Sequence, residues 1–270
     1  MGRIVESIKA AYAEGRTTVS FEFFPAKTAE GVDNLLQRIE ALGQRRLTPT
    51  FVTLTWRSAF KDESLWLKIG ATVQRDFGVD VLLHLTCHLP VSDLKRILCA
   101  ARDAGIQNIL ALRGDPPIGE DRWRPRPDGF RNAVELVKFI RSEHGDHFCV
   151  AVAGYPEVHT ESWNDPDLPP SDQVRETDIR RLVEKVEAGA DFIITQFFYD
   201  VSVFLDFKRR CRRAGIAVPV LPGYLPVQSY NAFKKFTGWC KTAVPRHITE
   251  RLETLRDDED QVEFSFLLSS

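Results

Sequence analysis

Three stretches carry groups able to move protons or hold charge. The first, Ser20-Phe21-Glu22-Phe23-Phe24-Pro25, sets one carboxylate in a run of three phenylalanines. A strand-like aromatic run normally excludes charge, because burying an unpaired carboxylate is costly. Read as a β-strand, it puts Phe21 and Phe23 on one face and Ser20, Glu22 and Phe24 on the other. Glu22 then points to a place where a carboxylate is wanted or paired, and a buried ion pair is the plain alternative to proton transfer. The second stretch, Arg113-Gly114-Asp115-Pro116-Pro117, reads as a rigid turn with a local Arg113–Asp115 pair or as charge presented at a strand end. The third holds His84 and His88. On a strand, residues four apart are separated by about 13 Å at ~3.3 Å per residue, too far to share a metal, so no metal site is expected.

These groups need a scaffold, and the hydrophobic pattern supplies one. Strand-like runs fall at 19–24, 51–56, 81–87, 108–114, 149–155, 192–198 and 217–223, with helical patterns near 30–43, 62–77, 91–104, 129–143, 174–188, 200–214 and 227–241. Leu35, Ile39 and Leu42 form one core stripe. The segments Asp103-Ala104-Gly105, Glu187-Ala188-Gly189 and Arg213-Ala214-Gly215 each end a helix just before a strand, where glycine takes the left-handed cap conformation. Strand then helix, repeated, implies parallel strands with crossover helices. Units of about 30 residues point to an α/β fold of (β/α)8 TIM-barrel type, with seven βα units visible and no eighth strand. An open doubly wound sheet is the alternative, but no glycine-rich phosphate fingerprint supports it. In a barrel, functional groups gather at the C-terminal strand ends. Those ends are polar here: Glu22; Thr53, Thr55 and Trp56; His84, Thr86 and His88; Arg113 to Asp115; Tyr155 and His159; Thr195 and Gln196.

Composition narrows the class. The chain has 270 residues, 43% hydrophobic and 27% charged, with a formal net charge of −2. That balance gives no reason to expect nucleic acid or an anionic membrane surface as partner. No apolar run reaches the length of a membrane span, and the N-terminal pattern over 1–16 is a charged amphipathic helix rather than a secretory signal. The opening Met1-Gly2-Arg3 superficially fits a myristoylation site and is a weak match. Five widely spaced cysteines without a CxxC suggest reduced thiols, hence a cytoplasmic protein. The run 163–173, rich in Pro and Asp, reads as a surface loop.

The motifs SFEFFPAKT, HLTC, LALRGDPP, AGYPEVH and ITQFFYD occur in this order over residues 17 to 255. Together they resemble the methylenetetrahydrofolate reductase family, in its catalytic barrel. The resemblance implies a flavoprotein that binds FAD without a Rossmann fingerprint and takes hydride from NADH or NADPH. The implied reaction reduces 5,10-methylenetetrahydrofolate to 5-methyltetrahydrofolate, in one-carbon metabolism and methionine biosynthesis. By residue matching, Glu22 resembles the general acid that protonates folate N10 and opens the ring to an iminium. A carboxyl among phenylalanines would be kept neutral by desolvation, as proton donation requires. Asp115 resembles the aspartate beside the flavin ring. Thr55, Trp56, His84, Leu112, Arg113, Gly114, Asp115, Ala153, Tyr155, His159, Asp178, Arg181 and Lys185 resemble FAD contacts. Trp56 stands where tyrosine is common, and Arg181 where some members have asparagine. Glu22, Gln196 and Phe236 resemble folate contacts.

The resemblance also implies a departure. Family members continue into another long helix and an eighth strand, whereas this chain closes on a divergent tail over 256–270. The expected organisation is an N-terminal helix over 1–16, an FAD-binding barrel over 17–255 and that tail. Without strand eight, β-strand edges stand open beside Glu22 unless the apolar stretch 262–268 or another chain covers them. The expectation is lower stability, weak FAD retention and low activity, with a non-catalytic, partner-binding barrel as the alternative function. A metal-dependent barrel hydrolase needs clustered ligands that the sequence does not show. Assembly into a homo-oligomer, and the choice between NADH and NADPH, are left open.

Overall fold

The computed structural model of the chain describes residues 2–24, 26, 28–44, 48–55, 63–116, 123–163 and 170–254. The expected tail over 256–270, and with it any eighth strand, lies outside the described residues, as does Trp56. The chain divides into two compact units, one of residues 1–153 with 185–192, the other of residues 154–184 with 193–270.

In the first unit, parallel strands follow one another in chain order: β1 (Ser20–Phe23), β2 (Phe51–Leu54), β3 (Asp80–Thr86), β4 (Asn108–Leu112) and β5 (Cys149–Gly154). Glu22 pairs in register with Thr53, Thr53 with Leu82, and Leu82 with Asn108. All of β2, and β3 beyond Asp80, are buried, as expected of parallel strands covered on both faces. β1 differs. Phe21 and Phe23 are half-buried, while Ser20 and Glu22 are exposed, so the alternation read from the sequence is present.

Helices α2 (Ala29–Gln44), α3 (Glu63–Phe77), α4 (Val91–Asp103) and α5 (Ala133–His144) link the strands. Leu35 and Ile39 of the expected stripe are buried and Leu42 is half-buried. Gly70 marks how closely α3 approaches β3: a Cβ there would lie 3.3 Å from Leu83 Cδ2 and 3.6 Å from Val81 Cγ1. Val81 and Leu83 thus face the helix, and His84 belongs to the opposite face. The glycine caps are as expected, with Gly105, Gly189 and Gly215 at φ +76°, +113° and +84°. At Gly105 the backbone N–H donates to Arg102 O, and that of Ile106 donates to Ala101 O, each at 2.9 Å.

The N-terminal helix α1 (Ile4–Ala13) is shorter than the 1–16 expected. Its entry is tied to the strand starts: Gly2 N–H donates to Asp80 Oδ1 at 2.9 Å, and Ile4 N–H to Asn108 Oδ1 at 2.8 Å.

The second unit holds α6 (Asp172–Glu187) through Glu184, β6 (Phe192–Phe197) from Ile193, α7 (Val201–Arg213), β7 (Val220–Gly223), α8 (Tyr230–Cys240) and α9 (Arg246–Thr254). Val227, Phe233, Ile248 and Leu252 form its buried cluster, packed by Tyr199, Tyr230 and Val244. Several boundaries are later than the pattern indicated, for local reasons. α5 begins at Ala133 because Asn132 Oδ1 accepts the Glu135 N–H at 3.1 Å. α8 begins at Tyr230 because Ser229 Oγ accepts the Ala232 N–H at 3.2 Å. β7 begins at Val220, after Pro219, which has no N–H to give a ladder and offers only its carbonyl to Ile193 N–H at 2.9 Å. The β6–β7 register shifts between Ile194 and Phe197, a bulge at Thr195 and Gln196.

The fold is α/β of TIM-barrel type, with seven parallel strands alternating with helices among the described residues.

Candidate functional site

Glu22 sits on the face of β1 that the strand leaves open, and Thr55, just past β2, donates its hydroxyl to Glu22 Oε1 at 2.8 Å. The two were assigned separate roles from the sequence and are one hydrogen-bonded pair. One expectation is corrected here: Glu22 is exposed, so its phenylalanine neighbours do not desolvate it. Their rings belong to the other face, and period-2 alternation separates them from the carboxyl.

His84, two positions before the end of β3, is only 5% exposed, and its Nε2 has no hydrogen-bond partner. Burial pushes this imidazole below its usual value, and the Glu22 carboxylate partly opposes the shift. The hydroxyl of Thr53, the register partner of Glu22, is likewise buried without a partner. His88 does not continue the strand: β3 ends at Thr86, and His88 Nδ1 turns back to Thr86 Oγ1 at 2.5 Å. The extended-strand spacing expected for His84 and His88 therefore does not apply.

The turn after β4 is held from β3. Cys87 N–H donates to Leu112 O at 2.9 Å, and Cys87 Sγ contacts Arg113 O at 3.4 Å and Phe130 O at 3.5 Å. Burial pushes the Cys87 thiol up to about 12, so it is an inert anchor rather than a nucleophile. Arg113 lies over the Trp123 ring, 5.3 Å from its centroid. Gly114 has φ +94°, and a Cβ there would come within 3.2 Å of Thr86 Cβ, so this turn needs glycine on both counts. Asp115 follows, exposed. Ala153 and Lys185 also form a pair, Lys185 Nζ donating to Ala153 O at 2.9 Å.

In the second unit, Tyr155, His159, Asp178 and Arg181 are brought together. The Tyr155 and His159 rings meet edge to face at 4.7 Å. His159 N–H donates to Asp178 Oδ2 at 2.5 Å, and Arg181 Nη1 lies 3.4 Å from Asp178 Oδ1. Ser162 completes the group, its Oγ donating to Asp178 Oδ1 at 2.6 Å and accepting from Arg181 Nη1 at 3.0 Å. Gln196, at the bulge, donates through Nε2 to Cys240 Sγ at 3.5 Å and accepts the Phe197 N–H at 3.2 Å. Phe236 is half-buried on α8 and packs edge-on against the exposed Trp239 at 6.3 Å.

Sequence reasoning missed Cys87, Ser162 and Glu157. Ser162 and Cys87 act through local contacts that no pattern announces. Glu157 stood in view inside AGYPEVH. Its Oε2 accepts the Ala243 N–H at 2.8 Å, its Oε1 is buried without a partner, and burial pushes its carboxyl up to about 7.

Comparison with known proteins places this arrangement. A solved structure of an uncharacterised protein from Clostridium thermocellum, described as binding two copies of 5-methyl-5,6,7,8-tetrahydrofolic acid, superposes with a TM-score of 0.60 at 14% identity. The superposition covers 96% of this chain and 85% of that one, a likeness of fold. A probable methylenetetrahydrofolate reductase (NADH) of Oryza sativa subsp. japonica is 41% identical over 261 residues, 96% of this chain and 43% of its own length. A 5,10-methylenetetrahydrofolate reductase of Pectobacterium carotovorum is 34% identical over 94% of this chain and 80% of its own length. This chain therefore spans less than half of the plant relative. The family model for methylenetetrahydrofolate reductase matches residues 7–265, and with that extent of match the chain belongs to the methylenetetrahydrofolate reductase family.

Proposed function

We propose that this chain catalyses the reduction of 5,10-methylenetetrahydrofolate to 5-methyltetrahydrofolate, with FAD as resident cofactor and NADH or NADPH as hydride donor. The observation that carries the reading is the Glu22–Thr55 pair at the C-terminal strand ends, in a chain of this family. The residues present fit a flavin dinucleotide. His84 Nε2 is a buried polar atom without a partner, as a site awaiting a polar ligand would leave it. In the first unit Thr55, His84, Leu112, Arg113, Gly114, Ala153 and Lys185 would hold the group. In the second, Tyr155, His159, Asp178 and Arg181 would do so, with two cationic or imidazole side chains suited to its phosphates. Bound FAD supplies the capacity to accept hydride from the nicotinamide and to give it to the folate.

The protein's own part is proton placement and orientation. Glu22 delivers a proton to folate N10, and the Thr55 hydroxyl aims the carboxyl by holding Oε1. Because β1 leaves Glu22 open, Phe21 and Phe23 do not cover its carboxyl, and bound substrate would reach it from the open side. Asp115 would place negative charge near a bound flavin, which would make the flavin harder to reduce and favour a cationic form of the substrate. Gln196 and Phe236 orient the folate.

The test is direct. The purified chain should bind FAD, bleach on anaerobic addition of NADH or NADPH, and recolour on addition of 5,10-methylenetetrahydrofolate. A protein that takes up no FAD at all would overturn the reading in favour of a non-catalytic, partner-binding barrel.

A further inference from the structure

Glu157 is not used by the proposed reaction, yet its carboxyl ties two distant segments of the second unit together. It lies in the Tyr155–His159 loop, between two of the candidate flavin contacts. Its Oε2 reaches 86 positions along the chain to the Ala243 N–H, in the turn between α8 and α9. Its Oε1 is shut off from solvent and has no hydrogen-bond partner. The residue after it, Val158, has φ +69°. A β-branched residue in the left-handed region is a genuine outlier, and such strain persists only where the surroundings hold it. Among the contacts that hold this loop are Val158 N–H to Tyr155 O at 3.1 Å, His159 N–H to Asp178 Oδ2 at 2.5 Å, and the Glu157–Ala243 bond.

We propose that Glu157 is a positioning residue for the Tyr155–His159 loop, a latch onto the α8–α9 turn whose hold depends on whether the carboxyl carries its proton. The charged groups that bear on it are Arg175 of α6, which favours the ionised form, and Asp200 at the start of α7, which opposes it; the α8–α9 turn offers the Ala243 N–H. Burial outweighs these and pushes the carboxyl up to about 7. An ionised Glu157 keeps one oxygen charged, buried and unpartnered, which weakens the latched loop. The sign follows. The folded-state value is above the ordinary carboxyl value of 4.5, so the folded protein holds the extra proton between these values. Stability falls as pH rises through that window and levels off above about 7.

The inference rests on reading this loop as a flavin contact, but the latch itself is testable without flavin. In the flavin-free protein, the melting temperature of wild type should decline from pH 5 to pH 7 relative to that of Glu157→Gln, which mimics the neutral carboxyl. Equal pH slopes in the two proteins would overturn the latch. With FAD added, a loop competent only when Glu157 is neutral predicts about a tenfold loss of affinity between pH 6 and pH 8. Glu157→Gln should remove that loss. FAD bound with the same pH profile in both proteins would overturn the positioning role. A difference in melting with no FAD uptake by either protein would uphold the latch and sink the flavin reading. Glu157→Ala should lower the melting temperature at pH 5.5, and adding Val158→Gly should restore part of it, because glycine takes this φ without strain. No recovery in the double variant would count against the latch as the support of the strained turn.

Discussion

At the N-terminal strand ends of the first unit, Asn108 and Asp191 each gather several hydrogen bonds; at the C-terminal ends of β2 and β3, Thr53 Oγ1 and His84 Nε2 are buried without any. Asn108, fully buried at the start of β4, accepts from Ile4 N–H and donates to Gly2 O at 3.2 Å and Val81 O at 3.4 Å. Asp191, just before β6, takes Arg3 Nη2 on Oδ1 at 2.8 Å, and Arg141 Nη2 and Val150 N–H on Oδ2, each at 2.7 Å. Arg3 Nε, Gln107 Oε1 and His147 Nε2 are buried without partners at this end. At the other end, His84 Nε2 and Thr53 Oγ1 are buried without partners, and Glu22 is exposed with Thr55 as its hydroxyl donor. A buried group left unsatisfied costs free energy that folding alone gives no reason to retain. Orphaned atoms occur at both ends, so the contrast lies in the bonds gathered around Asn108 and Asp191 against the unpartnered Thr53 and His84; under the proposed function it is that of a supporting floor and a working mouth.

Substitutions can break that contrast. The largest effect is expected at the mouth: Glu22→Gln should lower folate turnover by about 10² to 10⁴, the usual worth of a general acid, while FAD is retained and still reduced by the nicotinamide. Near-normal folate turnover in single-turnover kinetics would remove Glu22 from proton delivery. At the floor, Asp191→Ala removes the carboxylate partner of Arg3 and Arg141 and the acceptor of Val150 N–H and should cost about 2–3 kcal/mol, read as a lower melting temperature with little change in folate turnover per folded molecule. A comparable loss of turnover would mean the two ends are coupled rather than divided. Asn108→Ala leaves the Ile4 N–H without its acceptor and should cost roughly 1–3 kcal/mol by chemical denaturation.

Two smaller effects sharpen the picture. Asp115→Asn should raise the flavin midpoint potential, since it removes negative charge near the ring; a lowered potential in a folded variant would displace Asp115 from the flavin. His84 has its folded-state value below the ordinary 6.5, so it contributes stability that is present above 6.5 and lost as pH falls below it. His84→Asn should flatten the acid limb of stability against pH, read as a smaller loss of melting temperature between pH 7 and pH 5 than in wild type. An unchanged acid limb would show that His84 is not the buried group whose protonation opposes the fold.

Much of this molecule was legible in its residues. The strand runs coincide with the observed strands to within a few positions, because a parallel strand buried on both faces must be nearly continuous in apolar residues, as in Val81 to Leu85. Gly105, Gly189 and Gly215 announced helix ends because few other residues adopt their φ. Glu22 stood out as a carboxylate among phenylalanines, and the alternation that turns it away from Phe21 and Phe23 is present in β1.

What the residues alone did not determine are contacts between distant parts of the chain. The N-terminal helix was readable as amphipathic, but not that its first residues meet Asp80, Asn108 and Asp191 at the strand starts. Trp56 and the tail over 256–270 fall outside the described residues. The bulge that aims Thr195 and Gln196 has no local signature, since it arises from the register against β7. Glu157 reads as an ordinary polar loop residue until the α8–α9 turn closes over it, and only then does its proton acquire consequences. Periodicity and capping are properties of a short segment and are written in it. Burial, hydrogen-bond partners and the proton affinities they set depend on which distant segments meet, so only the tertiary structure decided them.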